Sequence, residues 1–189
     1  MIAAMTEQRK PATEKIVLWV GMASIVMLFA GLTSGYIVRM AEGNWKEFSI
    51  PVEFYISTAF ILLSSLTMQL AMSAVKKNNL QAVKRWLIVT LGLGLAFTFS
   101  QVLGYNALIR DGVFFVDKTT PSGSFFYAIT GLHLAHVAFG ILALMFTTGK
   151  SILEKYNSGN YLGISLCAIY WHFLDGLWIY LFVFLANFR

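Results

Sequence analysis

Five long apolar segments account for most of this 189-residue chain. Each has about 22–25 residues, and a helix of that length crosses the ~30 Å hydrocarbon core of a bilayer. The predicted spans are 16–38, 54–75, 86–109, 124–148 and 162–185. A membrane β-barrel would need strands of about 10 residues with alternating polarity, and the sequence has no such alternation. We therefore predict an all-α integral membrane bundle of five transmembrane helices.

Charge is distributed unequally between the two ends of the predicted bundle. The N-terminus and every second loop hold nine Lys and Arg against three Glu, a net charge of +6. The opposite end holds five basic and five acidic residues, and Asp175 within the fifth span brings the total to +5. Lys and Arg concentrate on the cytoplasmic side of membrane proteins, so we predict a cytoplasmic N-terminus and a periplasmic C-terminus. The basic surplus indicates topology and not a nucleic-acid partner.

The loops are short and leave no room for a second domain, so residues 1–189 are predicted to form a single membrane domain. Gly31 and Gly35 form a small-xxx-small pair, which lets a neighbouring helix approach closely, and we expect a helix contact there. No internal repeat indicates an inverted-repeat transporter. The lone cysteine, Cys167, is expected to be a small buried side chain of the fifth span.

Ionisable side chains are rare inside the spans, which makes the few that occur candidates for function. The fourth span contains His133 and His136, and the fifth contains His172 and Asp175. A spacing of three residues places both members of each pair on one helix face. We expect these two polar faces to meet. Three further side chains are expected to flank the cluster and to complete its hydrogen bonds: Thr130, Tyr170 and Trp171.

Three kinds of site fit these four residues. Histidines three residues apart can bind one metal ion, and His172 with Asp175 can complete four ligands. Alternatively, two histidines from different helices, such as His136 and His172, can hold a haem, as in a stand-alone membrane cytochrome. The third kind is a hydrogen-bonded cluster between helices, which satisfies its own buried charges and is the interpretation we favour. No nucleophile elbow, P-loop or dinucleotide fingerprint occurs, so no catalytic residue is assigned.

Two motifs in the last two spans resemble subunit III of the haem–copper oxidases. The stretch FFYAITGLHLAHVAFG (125–140) is similar to that family's T-G-[FL]-H-x-x-H segment, and YWHFLDGLWIYLF (170–182) to its Y-W-H-F-[VL]-D-x-x-W signature. Residues 21–39 and 85–105 resemble the family's third and fifth helices. Family members commonly have seven helices, so the five spans here resemble helices three to seven.

The sequence departs from the family pattern at two positions. The family usually has a buried glutamate in its third helix where this chain has Ile25. It often has Q-x-x-E-[YW] in its fifth helix, where this chain reads Gln101, Gly104 and Tyr105. No role of those carboxylates can therefore be transferred to this chain.

The resemblance implies a non-catalytic subunit of a respiratory oxidase. Such a subunit binds no haem or copper itself, since these cofactors lie in partner subunits. It packs against oxidase subunits I and II, holds phospholipid between its helices, and supports proton uptake and sustained oxygen reduction. The implied location is the inner (plasma) membrane of a bacterium, with cytochrome c or quinol as the indirect electron donor. A quinol oxidase subunit or a homologue associated with nitric oxide reductase remains an alternative.

Overall fold

The computed structural model describes residues 2–116, 121–154, 156–157 and 159–188, with side chains from Thr13 onward. This part of the chain folds into five α-helices, each long and apolar enough to cross a membrane. They are α1 (Ile2–Met40), α2 (Val52–Lys76), α3 (Leu80–Arg110), α4 (Ser122–Ile152) and α5 (Leu162–Asn187). The predicted five-helix architecture is confirmed, and every helix extends past its predicted span at one end or both.

Four of the helices form a ring, and the fifth lies outside it. Helices α2, α3, α4 and α5 each pack against two neighbours in the order α2–α3–α4–α5–α2, with α2 and α3 packed most closely. Within the described residues, α1 contacts only α4 and α5. It is also the least buried helix, since 17% of its most apolar window is covered, compared with 33–44% for the others. Helix α1 is therefore a peripheral helix.

The centre of the ring is filled by Trp171, which is 1% exposed. Its indole lies against Gly94 of α3 and Gly140 of α4. A methyl group added at Gly94 would lie 2.7 Å from the indole Cη2, and one at Gly140 would lie 3.3 Å from Cζ3. The two glycines thus create the space that the indole occupies.

The expected glycine contact on α1 is only half correct. Gly35 faces Phe125 of α4, with 3.8 Å between an ideal Cβ and the ring, whereas Gly31 has no atom of another helix within 4 Å. The reason is helical geometry, since Gly31 lies about 200° around the helix from the buried Phe29. The buried face of α1 carries large side chains at seven-residue intervals: Met22, Phe29 and Tyr36.

A three-residue turn joins α2 to α3 at the end of the bundle that carries the basic surplus. Asn78 adopts a left-handed conformation with φ of 54°, which reverses the chain. The Asn79 side chain then caps α3 by accepting a hydrogen bond from the Ala82 amide at 3.1 Å. The connection is therefore short and locally hydrogen-bonded.

Candidate functional site

The polar side chains of α5 are hydrogen-bonded to α2. The Trp171 indole donates to Ser64 Oγ at 3.0 Å, and the Trp178 indole donates to Thr58 Oγ1 at 2.9 Å. Between them, His172 Nδ1 lies 2.7 Å from Ser65 Oγ. We call these three hydrogen bonds the α2–α5 seam. All of them join a buried or half-buried aromatic ring to a hydroxyl group of α2.

Asp175 is buried beside this seam. Asp175 is 3% exposed. Neither of its carboxyl oxygens forms a well-aligned hydrogen bond with any of the described residues. The Ser65 hydroxyl contacts His172 and also interacts with the Asp175 carboxyl group. Ser65 therefore brings His172 and Asp175 together, as their spacing predicted for one helix face.

His133 lies in an aromatic enclosure at the centre of the bundle. It is fully buried, and its ring centroid lies 5.1 Å from Trp178, 6.2 Å from Phe97 and 6.4 Å from Phe29. Neither ring nitrogen has a hydrogen-bond partner among the side chains that the structure describes. The arrangement holds the imidazole by packing.

His136 is half-buried and bonds to its own helix. Its Nδ1 donates to the Leu132 carbonyl at 2.8 Å, because a carbonyl oxygen can only accept. The ring also packs edge-on against Phe29 at 5.8 Å. Tyr170 of α5 reaches α4 here, with its hydroxyl donating to the His136 carbonyl at 3.3 Å. The contact between the two helices thus uses the backbone of His136 and not its imidazole.

The structure therefore divides the expected cluster into two pairs. His172 and Asp175 meet at Ser65, and His133 and His136 share a contact with Phe29. No hydrogen bond joins the two pairs among the described side chains, and His172 is hydrogen-bonded to α2 where we expected its polar face to meet that of α4.

The flanking residues are also divided between different contacts. Trp171 belongs to the α2–α5 seam, and Tyr170 contacts α4. Thr130 is buried, but its hydroxyl donates to the Phe126 carbonyl of its own helix at 2.7 Å. Thr130 therefore does not complete the hydrogen bonds of the histidines in the way we expected.

The geometry bears on the metal and haem alternatives. Across the residues with described positions, no three His, Cys, Asp or Glu side chains come together as a metal-ligand set. The cleft that His172 lines is bounded by α1 and α5, and His136 is not among its lining residues. This cleft therefore does not place His136 opposite His172.

A cleft lies between α1 and the side of α5 that faces away from α2. It has a volume of about 430 Å³, and it is lined almost wholly by apolar groups. Its walls are formed by Val26, Phe29 and Ala30 of α1 and by His172, Phe173, Gly176, Leu177 and Tyr180 of α5. At its edge, the hydroxyls of Thr33 and Tyr180 lie 3.1 Å apart. The cleft has the chemistry to hold an aliphatic chain.

The sequence reasoning missed the hydroxyl groups of α2. Ser57 and Thr58 are followed seven residues later by Ser64 and Ser65, a repeat that places both pairs on one helix face. Trp171 and Trp178 are also seven residues apart. The matching intervals are a signal that could have predicted the α2–α5 seam.

Comparison with known proteins places this arrangement in a family. Residues 43–188 match the family model described as cytochrome c oxidase subunit III. The cytochrome c oxidase subunit 3 of Alkalihalophilus pseudofirmus is 38% identical over 158 residues, covering 82% of this chain and 73% of that protein. The protein of the same name from Bacillus sp. PS3 is 32% identical, with 87% and 80% covered. The probable subunit 3 of Nocardia farcinica is 31% identical, with 88% and 82% covered.

The chain belongs to the cytochrome c oxidase subunit III family. The matched region contains both histidine motifs and four of the five helices. The resemblance stated from the sequence is thereby confirmed. The chain is a multi-pass membrane protein of this family.

Packing accommodates one of the two departures from the usual subunit III pattern. At Gly104, a methyl group would lie 2.5 Å from the Phe54 ring, so aromatic packing fills the position where the family often has glutamate. The neighbouring Gln101 is 1% exposed and donates from Nε2 to Ser57 Oγ at 2.8 Å. Gln101 therefore joins α3 to α2 close to the position of Gly104.

The second departure, Ile25, lies on the peripheral helix. Its side chain is partly buried and packs against the hydrophobic core. An isoleucine needs no hydrogen-bond partner, so this position has no polar requirement.

Proposed function

We propose that the chain is a non-catalytic subunit III of a bacterial haem–copper terminal oxidase of the cytochrome c oxidase type. The observation that carries the proposal is the family match over residues 43–188. The relatives named above bear the name cytochrome c oxidase subunit 3. This name favours a cytochrome c oxidase over the quinol-oxidase and nitric oxide reductase alternatives.

Haem and copper are assigned to partner subunits, with subunits I and II as the direct partners. The environments of the histidines support this assignment. His133 is enclosed by aromatic rings, His136 bonds to its own helix, and His172 bonds to Ser65. Among the described residues, none of these imidazoles is joined by enough other His, Cys, Asp or Glu side chains to form a metal-ligand set.

Phospholipid is the proposed occupant of the cleft between α1 and α5. Its volume of about 430 Å³ and its apolar walls suit acyl chains. Lipid there would complete the packing between the peripheral helix and the ring. We further propose that this support sustains proton uptake and oxygen reduction in the catalytic subunit, in line with the expectation for the family.

The proposed topology follows the charge distribution. The basic end of the bundle, which includes the turn between α2 and α3, faces the cytoplasm of a bacterial cell, and the C-terminus faces the periplasm. Large apolar side chains such as Phe139, Phe146 and Trp19 are exposed on the outer faces of the helices. In the bacterial plasma membrane these faces meet lipid or the other oxidase subunits.

Affinity purification from native membranes in a mild detergent tests the assignment. We expect oxidase subunits to co-purify, with a haem spectrum and cyanide-sensitive oxygen uptake from reduced cytochrome c. Uptake from quinol but not from cytochrome c would favour the quinol-oxidase alternative. A chain that purifies alone and carries a haem spectrum would support a stand-alone cytochrome, and a chain that purifies alone without colour would contradict both.

A substitution tests the structural role proposed for Asp175. Asp175→Asn keeps the shape of the side chain but changes its charge and hydrogen-bonding groups. We expect the variant complex to assemble less completely or to inactivate after fewer turnovers than the wild type. Asp111→Asn is the matched control, because Asp111 is exposed at the end of α3. Unchanged assembly and turnover lifetime in Asp175→Asn would remove the main support for this role.

A further inference from the structure

The turn between α2 and α3 carries an unusually uniform charge. No Asp or Glu occurs anywhere from residue 54 to residue 110, whereas the turn and its flanks contain Lys76, Lys77, Lys84 and Arg85. We call these four residues the basic turn. Such clusters at the end of a membrane helix attract anionic lipid headgroups.

One acidic residue from elsewhere reaches the basic turn and pairs with Lys84. Glu154, which follows α4, lies 2.9 Å from the Lys84 ammonium. The hydrogen bond and the charge of Lys84 lower the pKa of this exposed carboxyl group. Arg85 points elsewhere and has no acidic partner among the described residues. Its charge therefore remains available to a ligand.

Arg85 lines a groove along the first turns of α3. The groove has a volume of about 550 Å³ and is lined by Asn79, Gln81, Ala82, Arg85, Trp86 and Val89. Its upper part contains a guanidinium and two side-chain amides, all of which can donate hydrogen bonds. The oxygen of Asn79 caps the helix, so its amino group is the part that can serve a ligand. The groove thus gathers donors and positive charge at one end.

The lower part of the groove has the opposite chemistry. Trp86 is half-buried there, and Val89 and the neighbouring Ile88 are exposed apolar side chains of the transmembrane segment. Tryptophan is typical of the boundary between headgroups and acyl chains. The hydrogen-bond donors at the upper end of the groove thus lie next to apolar side chains that face hydrocarbon. A phospholipid has the same order of groups, with a phosphate followed by acyl chains.

We propose that this groove binds one anionic phospholipid, with its phosphate against Arg85 and the amides of Asn79 and Gln81 and an acyl chain along Trp86 and Val89. The site is separate from the α1–α5 cleft, because no residue lines both. The two sites also recognise different parts of a lipid, since the cleft is almost wholly apolar and this groove contains a guanidinium and two amides. The proposal does not depend on the oxidase activity proposed above.

Three variants separate a defined site from general attraction to the basic turn. Arg85→Gln removes the charge that lines the groove, and Arg85→Lys keeps the charge but loses the planar fork. Lys77→Gln is the matched control, because it removes one charge from the same turn at a residue that does not line the groove. Both positions are exposed, so none of these substitutions disturbs the packed core.

The measurement is native mass spectrometry of the full-length chain, with whatever subunits co-purify, titrated with phosphatidylglycerol or with phosphatidylcholine. Beyond any lipid held in the apolar α1–α5 cleft, which either phospholipid can supply, we expect one phosphatidylglycerol to bind in preference to phosphatidylcholine. Arg85→Gln should raise its half-saturating concentration about tenfold or more, as for loss of a hydrogen bond to a charged group. Lys77→Gln should raise it about fivefold at most, the effect of one surface charge. Arg85→Lys should lie between the wild type and Arg85→Gln.

Three results would overturn the proposal. Equal shifts in Arg85→Gln and Lys77→Gln would show diffuse attraction without a site. Equal binding of phosphatidylcholine would show that charge is not recognised. Loss of a protein subunit from Arg85→Gln, with lipid binding unchanged, would show that the groove contacts a protein partner. The same spectra report independently whether oxidase subunits co-purify, so failure of the lipid site and failure of the proposed function are distinguishable.

Discussion

Helix α5 packs against α2 on one side and faces α1 on the other, and the two contacts differ in construction. On the α2 side, three hydrogen bonds join aromatic rings to hydroxyl groups along two turns of helix. On the α1 side, the Tyr180 hydroxyl lies 3.1 Å from that of Thr33, the Tyr36 hydroxyl donates to the Phe188 carbonyl at the end of α5, and an open apolar cleft runs beside them. His172 takes part in both, because its Nδ1 belongs to the seam while its ring lines the cleft.

This contrast follows from the physics of helices in lipid. Lipid chains are as apolar as leucine, so helices associate through close packing and hydrogen bonds and not through a hydrophobic driving force. The α2–α5 seam has both kinds of interaction, and we infer that it fixes the ring. The α1–α5 contact has fewer hydrogen bonds and an open cleft, so we infer that filling the cleft would stabilise it. The four predictions below test this difference, from the largest expected effect to the smallest.

Removing the central indole should have the largest effect. Trp171→Ala deletes one of the two largest buried side chains of the ring together with its bond to Ser64. We expect the free energy of unfolding to fall by about 3–5 kcal/mol, the usual cost of an aromatic-to-alanine cavity. The measurement is the unfolding midpoint of the purified chain in one detergent.

Trp19→Ala is the control for this prediction. Trp19 is also an indole within a transmembrane helix, but it is 61% exposed and lies on the peripheral α1. We expect its removal to change the unfolding midpoint little. A loss of stability as large as that of Trp171→Ala would contradict the distinction between ring and periphery.

The second prediction concerns the space that Trp171 occupies. Gly94→Ala would place a methyl group 2.7 Å from the indole, so α3 or the indole must move. We expect a cost of about 1–3 kcal/mol, as for other overpacked cores. Gly92→Ala is a matched control on the same helix, because a methyl group there meets nothing within 4 Å. If both variants unfold at the same midpoint, the close packing at Gly94 does not stabilise the ring.

The sequence predicted the five helices because length and polarity alone determine a membrane span. It also identified His172 and Asp175 as unusual residues within such a span, with Trp171 as a flanking residue. The neighbour of α5 was not predictable in the same way. Helices in this chain are apolar on nearly every face, so hydrophobic periodicity does not select one partner over another. The choice of α2 as the neighbour of α5 depends on Ser64 and Ser65. Their role can be recognised only by comparing their seven-residue spacing from Ser57 and Thr58 with the equal spacing of Trp171 and Trp178.

The α1 contact illustrates a second limit of the sequence. The small-xxx-small pattern predicted that Gly31 and Gly35 share an interface, but only Gly35 faces another helix. The buried face of α1 is instead set by Phe29 and Tyr36, whose rings fill the gap towards α4 and α5. The large side chains therefore set the rotation of α1, and this rotation decides which of the two glycines faces a neighbouring helix.

The third prediction concerns Ser65, one of the hydroxyl groups of the α2–α5 seam. Ser65→Ala removes the partner of His172 Nδ1 and a hydroxyl group that interacts with Asp175. We expect a loss of about 1–2 kcal/mol, because buried polar atoms are left unpaired in addition to the lost bond. The unfolding midpoint measures the loss, and Ser24→Ala is the control, since Ser24 is exposed and bonds only to its own helix. Equal midpoints for the two variants would mean that the bond to His172 contributes nothing to the seam.

The smallest effect is expected on the α1 side of α5. Tyr180→Phe keeps the ring and removes only the hydroxyl that contacts Thr33. Thr33 still donates to a backbone carbonyl of its own helix, Phe29 at 3.0 Å, so no buried group is left unpaired. The cost should therefore be about 0.6 kcal/mol, the average for a hydrogen bond between membrane helices, and smaller than that of Ser65→Ala. The unfolding midpoints of Tyr180→Phe, Thr33→Val and the double variant isolate this bond. A coupling energy larger than the loss in Ser65→Ala would reverse the ranking, and it would show that α1 is held to α5 as firmly as α2 is.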